Sequence, residues 1–373
     1  IGTNILGYGD PEVDATVTST ISIGNMSTLN CPEEVLLAEK LIEIHPWANM
    51  VKFARTGGEA NAIAIRIARA ATGRDTVAIC GYHGWHDWYL ATNIEDDSSL
   101  SSHLLPGLKP NGVPRKLINT AKPFNYNDLE GLKTICKMNK LAAVKMEVER
   151  NVPPKEGFLL AVRKLCTENN IPLIFDECTS GFRETFGGLH KKYGVEPDIA
   201  IFGKAMGNGY AITAIIGKEE IMEAAQTTFI SSTFWTERIG PSAAIKTLEV
   251  MERIKSWEII SRIGTSLKSN WLEIANSNKI NLEIFGISAL AGFKIKSDNW
   301  LKYKTYITQE MLKKGILAAN SCYVCTKHNE KILEEYYENL DIIFKKIYDC
   351  ENGYPIDNLL DGPVCHDNFK RLN

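Results

Sequence analysis

Several features that would assign a chain to a specialised class are missing from these 373 residues. No apolar run approaches the roughly 20 residues that a helix needs to cross a bilayer. The net charge of −3 excludes the strongly basic surface that binds nucleic acid or anionic membranes. The sequence has no Gly-x-Gly-x-x-Gly opening a helix and no Gly-Lys-Ser/Thr loop, which speaks against a dinucleotide-binding fold. We therefore expect a globular protein with no nucleic-acid and no membrane partner.

Paired cysteines are also scarce, because the nine cysteines are scattered singly apart from Cys322 and Cys325. An odd, scattered set is typical of reduced thiols, so we expect a cytoplasmic protein without a disulfide framework. Together with His328 and the distant Cys365-His366, the Cys-x-x-Cys pair fits a zinc site only loosely. Packing is the favoured interpretation, and no metal is predicted.

What the sequence does contain is a regular alternation of strand-like and helix-like segments from residue 33 to 240. Such alternation predicts an α/β domain with a mostly parallel sheet covered by helices. We expect a smaller α+β domain over 241–349 and an irregular tail over 350–373. Residues 1–32 are expected to pack with the small domain. Because Ile1 stands in what looks like the middle of an element, we expect further residues to precede it.

The expected elements of the larger domain follow hydrophobic periodicity and its punctuation. Helices are predicted at 32–44, 59–72, 127–138 and 158–169. Strands are predicted at 50–55, 76–80, 141–147, 171–177, 197–203 and 211–217, with a loop-rich stretch at 81–124. In a sheet of this kind ligands bind at the carboxyl ends of the strands, so the residues that follow each strand deserve scrutiny.

The first strand is followed by "TGGEAN" (56–61). A glycine pair that opens a helix presents free backbone N–H groups beside the positive end of the helix dipole, which favours a phosphate. In the alternative, Thr56 and Glu59 form a capping box and satisfy those donors themselves. The residues leave both interpretations open.

The second strand is followed by "GYHGWHD" (81–87), a loop crowded with aromatic and imidazole groups. Its rings are suited to stacking on a flat ligand. They are equally suited to anchoring the loop in the core through Trp85 and Trp88. His83 and His86 are spaced for a metal, but no third ligand is obvious.

Two ionisable residues stand at the ends of apolar strands. Asp176 follows "IPLIF", where a carboxylate is costly unless a cation or hydrogen-bond donor meets it. A helix cap, or a salt bridge to Arg183, would also explain it. Lys204 follows "PDIAIFG", and an amine kept partly from water loses its proton more readily and can attack a carbonyl.

Pyridoxal phosphate is a ligand that requires all four features at once. Its phosphate needs N–H groups, its ring an aromatic face, its pyridine nitrogen a carboxylate and its aldehyde a lysine. The conjunction in this order therefore predicts that cofactor.

On these motifs the chain resembles the class III aminotransferases of the pyridoxal-phosphate fold type I group, and most of all glutamate-1-semialdehyde 2,1-aminomutase. The resemblance implies a seven-stranded large-domain sheet and a homodimer with active sites at the interface. It implies Lys204 as the Schiff-base lysine and Asp176 as the partner of the pyridine nitrogen. Gly57 and Gly58 would bind the phosphate, although the family usually has a hydroxyl residue at the second position.

The resemblance extends to other cofactor contacts. Tyr82, with His83 beside it, would stack on the ring, and Cys178 stands where valine usually packs on the other face. Thr233, in "SSTFWTERIGP" (231–241), would reach the phosphate bound by the partner subunit.

Three residues are candidates for contact with a small-molecule amino donor or acceptor: Trp85, Glu147 and Arg238. Arg238 would clamp a carboxylate or phosphate, or pair with Glu237, and the ion pair is favoured. Glu147 is expected to play only a supporting role.

The implied reaction is amino transfer, with intramolecular transfer as in the aminomutase as the first expectation. An aminotransferase acting on another carbonyl, such as a keto-sugar or a non-α amino acid, is the alternative. A non-catalytic binding protein of the same fold is a third possibility.

Overall fold

The computed structural model of the chain describes residues 1–104 and 106–367, which form two compact units. Unit 1 comprises residues 1–149 and 154–257. Unit 2 comprises residues 150–153 and the chain from 258 onward.

Unit 1 is built around one sheet. Its strands are β1 (Met50–Ala54), β2 (Thr76–Cys80), β3 (Ala121–Pro123), β4 (Leu141–Met146), β5 (Leu173–Asp176), β6 (Ile199–Phe202) and β7 (Thr213–Gly217). They are arranged in the order β1-β7-β6-β5-β4-β2-β3. Only β7 runs antiparallel to its neighbours, β1 and β6, which confirms the predicted mostly parallel seven-stranded sheet.

Two helices of unit 1 precede β1 in the chain, and the others lie between or after the strands. The helices are α1 (Pro11–Ile23), α2 (Pro32–Ile44), α3 (Gly57–Thr72), α4 (Asp87–Leu90), α5 (Leu129–Met138), α6 (Phe158–Glu168), α7 (His190–Tyr193), α8 (Glu219–Met222) and α9 (Ile239–Ile254). Short 3₁₀ segments lie at Ala91–Asn93, Ser101–His103, Arg115–Leu117, Lys204–Gly207 and Glu223–Gln226.

The centre of the sheet is fully buried, since every residue of β4, β5 and β6 is buried. Strands covered on both faces need apolar side chains at consecutive positions, as these sequences have. Lys145 in β4 and Asp176 at the end of β5 are the ionisable exceptions. β3 lies inside the stretch predicted as loop-rich, because three residues that include a proline carry too little periodicity to be recognised.

The division of the chain differs from the predicted boundaries at two places. Unit 1 extends to Trp257 rather than to residue 240, and it includes the N-terminal segment that was expected to pack with the small domain. The reason is α9, which buries Ala243, Ala244 and Leu248 and packs against both α1 and α2. That packing joins the first helix of the chain to the sheet domain.

Unit 2 is an α+β structure. Its strands β8 (Leu282–Phe285), β9 (Leu290–Ile295) and β10 (Ser321–Tyr323) form an antiparallel sheet in the order β10-β9-β8. Its helices are α10 (Ser256–Ser277), which begins at the end of unit 1, α11 (Trp300–Lys313) and α12 (Glu330–Glu351). In the predicted tail, Ile356–Leu359 is a 3₁₀ segment, and 368–373 lie outside the described residues. Among the described helices, none is long and apolar enough to cross a membrane.

Candidate active site

Cys178 occupies the middle of the predicted site. A Cβ built on Gly57 would lie 3.6 Å from the Cys178 sulfur, and one built on Gly203 would lie 3.5 Å from the same atom. Oδ1 of Asp176 accepts the backbone N–H of Cys178 at 3.2 Å. The glycine pair, the buried carboxylate and the residue before Lys204 therefore meet around one buried thiol.

The start of α3 combines both interpretations of "TGGEAN". Thr56 is the N-cap and its Oγ1 accepts the N–H of Glu59 at 3.3 Å. The Glu59 carboxylate turns back and accepts the N–H of Arg55 at 2.9 Å. Neither side chain uses the N–H groups of Gly57 and Gly58, which have no hydrogen-bond partner among the described residues. These two donors remain available at the positive end of a helix, where a phosphate binds well.

His86 occupies the space next to Gly58 that a side chain would take. A Cβ at Gly58 would lie 2.7 Å from Cε1 and 2.8 Å from Nδ1 of His86. Nδ1 is shielded from solvent and has no hydrogen-bond partner in the described chain. Gly58 is thus required by the close packing of His86.

Asp176 is held in its ionised form. Its Oδ2 lies 2.9 Å from Nδ1 of His83 and 3.6 Å from Nζ of Lys145. Burial acts to raise the pKa of Asp176, but the Lys145 charge and the His83 hydrogen bond outweigh it and hold the pKa well below its usual range. Burial, with Lys145 nearby, also lowers the pKa of His83 to about 4. The result is a fixed negative charge inside an apolar sheet.

Lys204 begins the 3₁₀ turn after β6 and has a φ of 43°. A non-glycine residue in this left-handed region carries strain of about 1–2 kcal/mol, which the surrounding structure must offset. Its Nζ donates to Oγ1 of the buried Thr179 at 2.9 Å. The turn ends at Asn208, whose Oδ1 accepts the N–H of Leu6 at 2.9 Å. The N-terminal residues thereby help to fix the position of the lysine.

The loop that carries Tyr82 is held in place by Glu147. Oε2 of Glu147 accepts the N–H of Tyr82 at 3.1 Å, and a Cβ at Gly81 would lie 2.6 Å from that oxygen. Nδ1 of His103 accepts the N–H of Gly81 at 2.8 Å. The ring of Tyr82 makes an edge contact with Tyr89 at 6.4 Å between centroids. Glu147 therefore contacts the backbone of the loop.

Trp85 and Thr233 face solvent in the single chain. The Trp85 side chain is 72% exposed and its ring lies 4.7 Å from that of His86. It therefore does not anchor the loop in the core, whereas Trp88 is buried. Thr233 is exposed in the segment that precedes α9.

Arg238 is engaged in an ion pair, but with Glu33 rather than with the favoured Glu237. Its Nε and Nη2 donate to the two Glu33 oxygens at 3.1 and 2.6 Å. Glu237 instead accepts the N–H groups of Ile239 and Gly240 at the start of α9, and it pairs with Arg55 at 3.4 Å. The prediction of an Arg238–Glu237 pair is wrong because Glu237 caps the helix while Arg238 turns toward α2.

Sequence reasoning missed Lys145, Thr179 and Asn208. Lys145 was visible as a lysine inside the strand "LAAVKME", where a charged side chain is as unusual as Asp176 is in "IPLIFDE". Thr179 and Asn208 lie in turns, and no local pattern indicates which turn residue contacts the lysine.

The zinc interpretation finds no support in unit 2. Cys322 Sγ lies 3.9 Å from Nδ1 of His328, which accepts the N–H of Cys325. Cys365 Sγ lies instead at the carbonyl of Leu301, at 3.5 Å. Over residues 1–104 and 106–367 no group of three or more His, Cys, Asp or Glu residues is placed to hold a metal ion.

Comparison with known families matches residues 1–329 to the family "Aminotransferase class-III". The 3-aminobutyryl-CoA aminotransferase of Cloacimonas acidaminovorans is 34% identical over 350 residues, covering 89% of this chain and 80% of that protein. The glutamate-1-semialdehyde 2,1-aminomutase of Methanobrevibacter smithii is 34% identical over 300 residues, covering 78% of this chain and 69% of that protein.

The fold has a solved counterpart. The FumI protein of Sphingopyxis sp. MTA144, in its pyridoxal-phosphate internal aldimine form, superimposes with a TM-score of 0.85 at 24% identity. The match covers 96% of this chain and 86% of FumI. It supports the fold of this chain.

Proposed function

Since the chain belongs to the class III aminotransferases, which are pyridoxal-phosphate-dependent enzymes, we propose that it transfers an amino group to or from a carbon that bears no carboxylate. The observation that carries this proposal is the engagement of Arg238 by Glu33. A substrate with an α-carboxylate needs a cation to orient it. Arg238, one candidate for that purpose, already donates from Nε and Nη2 to Glu33.

The described residues fit the cofactor. The free N–H groups of Gly57 and Gly58 would hold its phosphate, with the unpartnered Nδ1 of His86 beside them. Asp176 would meet the pyridine nitrogen, and Lys204 is the amine that would bind the aldehyde. Tyr82 and Cys178 would lie on the two faces of the ring. These roles are supported by the proximity of Gly57, Gly203 and Asp176 to Cys178.

When bound, the cofactor supplies an electron-poor ring that takes up the charge left when a substrate carbon loses its proton. Asp176, held ionised by its neighbours, would keep the ring nitrogen protonated for that purpose. Lys204 Nζ would remove and return the proton at the substrate carbon. The hydroxyl of Thr179 accepts a hydrogen bond from this amine at 2.9 Å and so helps to hold it in position.

We also propose that two copies of the chain form the working enzyme. Thr233 is exposed in the single chain, and the same segment exposes Phe229 at 83% and Phe234 at 53%. An exposed apolar segment next to a polar site is typical of a surface that a second copy covers. In the dimer, Thr233 would reach the phosphate bound by the other copy.

A matched substrate panel tests the reaction. The protein with bound cofactor is given β-amino acids, their thioesters, terminal amines and α-amino acids, and the amine and carbonyl products are measured. We expect the highest kcat/KM for an amine whose carbon carries no carboxylate, and no turnover by Lys204→Ala. A preference for α-amino acids in both half-reactions would refute the proposal.

The second candidate is intramolecular transfer, which the 29–34% identity to several aminomutases favours. Glutamate 1-semialdehyde also carries its amine on a carbon without a carboxylate. The purified protein is supplied with this compound and no amino donor. Formation of 5-aminolevulinate would identify a mutase, and a requirement for a second amine would identify a transaminase.

A further inference from the structure

Lys145 is a buried lysine with no assigned task. Its side chain has 0% exposure, and Nζ has no hydrogen-bond partner in the described part of the chain. Oδ2 of Asp176 lies 3.6 Å from Nζ, beyond hydrogen-bond distance. An ammonium group left in this state is costly to bury, so its presence in the centre of the sheet requires an explanation.

The strand register places Lys145 on the same face of the sheet as Asp176. Lys145 is paired with Ile174 across β4 and β5, and Asp176 lies two residues further along β5. Alternate residues of a strand share a face, so both side chains project from the same face of the sheet. The ionisable groups that act on Lys145 are Asp176, Cys178 and Glu147, and Lys145 acts in turn on His83.

Asp176 faces the ammonium of Lys145 at 3.6 Å, and the charge of Lys204 also acts on it. Burial lowers the pKa of His83 to about 4, so the imidazole is neutral near pH 7. Burial also lowers the pKa of Lys145, while the Asp176 charge acts to raise it. A protonated ring nitrogen in contact with Asp176 would be a second cation beside the first, and two buried cations facing one carboxylate leave an uncompensated charge.

We propose that Lys145 carries the positive charge opposite Asp176 until the ring nitrogen of the cofactor takes that place, whereupon Lys145 releases its proton to solvent. The N–H bond of the ammonium breaks, its electron pair stays on Nζ, and the proton passes to water. Cofactor binding is therefore coupled to the loss of one proton from the protein. Lys145 is a positioning residue that acts through Asp176, and the inference rests on the role proposed above for Asp176.

The test is the pH dependence of pyridoxal-phosphate affinity between pH 6 and 8.5. Wild type is compared with Lys145→Met, which keeps the length of the side chain without its charge. Lys140→Met, at an exposed position before β4, is the matched control. Protonation of the cofactor and of Lys204 is common to all three proteins and cancels in the comparison. We expect the pyridoxal-phosphate affinity of wild type and of Lys140→Met to rise with pH more steeply than that of Lys145→Met. The difference should be about tenfold per pH unit, since one proton is released.

Parallel pH profiles for wild type and Lys145→Met would overturn the inference, because Lys145 would then keep one protonation state throughout. Thermal unfolding checks that Lys145→Met is folded, and Lys145→Gln, which retains a polar group, replaces it if it is not.

A cofactor analogue with carbon in place of the ring nitrogen separates a failure of the Lys145 inference from a failure of the proposed function. If Asp176 meets the ring nitrogen, wild type binds the analogue more weakly and without the extra pH dependence. Equal binding of analogue and cofactor would refute the role of Asp176 itself.

Discussion

The charge pair at the centre of the sheet makes a quantitative prediction for the protein without cofactor. Asp176→Asn removes the carboxylate whose Oδ2 lies 3.6 Å from Lys145 Nζ. Removing one partner of a buried charge pair costs about 3–5 kcal/mol, because the other charge is left uncompensated. We therefore expect the free energy of unfolding at pH 7 to fall by about 3 kcal/mol.

Deprotonation of Lys145 sets an upper limit on this cost. A lysine with an unfolded-state pKa near 10.4 needs at most about 4.6 kcal/mol to lose its proton at pH 7, and about 2 kcal/mol at pH 9. A lysine whose folded-state pKa lies below its unfolded-state pKa contributes stability that is lost as the pH falls. The effect of Asp176→Asn should accordingly be smaller at pH 9 than at pH 7.

The assay is a double-mutant cycle measured by urea unfolding at both pH values. In the Lys145→Met background no buried ammonium remains, so Asp176→Asn should cost about 1 kcal/mol or less and should not depend on pH between 7 and 9. Lys140→Met serves as the control for a lysine substitution at an exposed site. Equal costs of Asp176→Asn in the wild-type and Lys145→Met backgrounds would refute the reasoning.

Three further predictions concern single positions. Lys204→Ala should lower turnover by at least about 10⁴-fold in a steady-state amino-transfer assay while the fold is kept, and a variant with full rate would rule out its role. Gly58→Ala should weaken pyridoxal-phosphate binding by roughly tenfold in a fluorescence titration, because its Cβ would meet His86 at 2.7 Å. Adding His86→Ala should restore the space and part of the affinity, and no recovery would contradict this explanation. Burial lowers the pKa of His45 from 6.5 to about 4, so wild type should lose about 2 kcal/mol of stability between pH 7 and pH 5. His45→Gln should lack that loss in urea titrations, and an equal decline in both proteins would show that another group is responsible.

Much of unit 1 could be predicted from local patterns. The helix 32–44 and the strand 76–80 have the predicted bounds, because a helix or a buried strand is set by periodicity and by the prolines and glycines at its ends. The rule that ligands bind at the carboxyl ends of parallel strands then selected Asp176 and Lys204 for attention. β3 was not predicted, because a three-residue strand has no periodicity of its own.

The partners of individual side chains were harder to predict from the sequence. Arg238 was expected to pair with its neighbour Glu237, yet its partner is Glu33, 205 residues away in the chain. Adjacent charges have no general reason to pair, since the cap of α9 and the packing of α2 decide which carboxylate each cation meets. His86 was weighed as a metal ligand, and its contact with Gly58 depends on how the 81–87 loop folds back over α3.

The sequence by itself determined the class of fold, the family and the residue types that stand at the strand ends, because those depend on which residues follow which apolar segments. The tertiary structure decided how these groups are combined. It placed Lys145 and His83 against Asp176, assigned Arg238 to Glu33 and left the N–H groups of Gly57 and Gly58 free. Such outcomes depend on distances between strands, helices and loops far apart in the chain, which no local pattern of residues encodes.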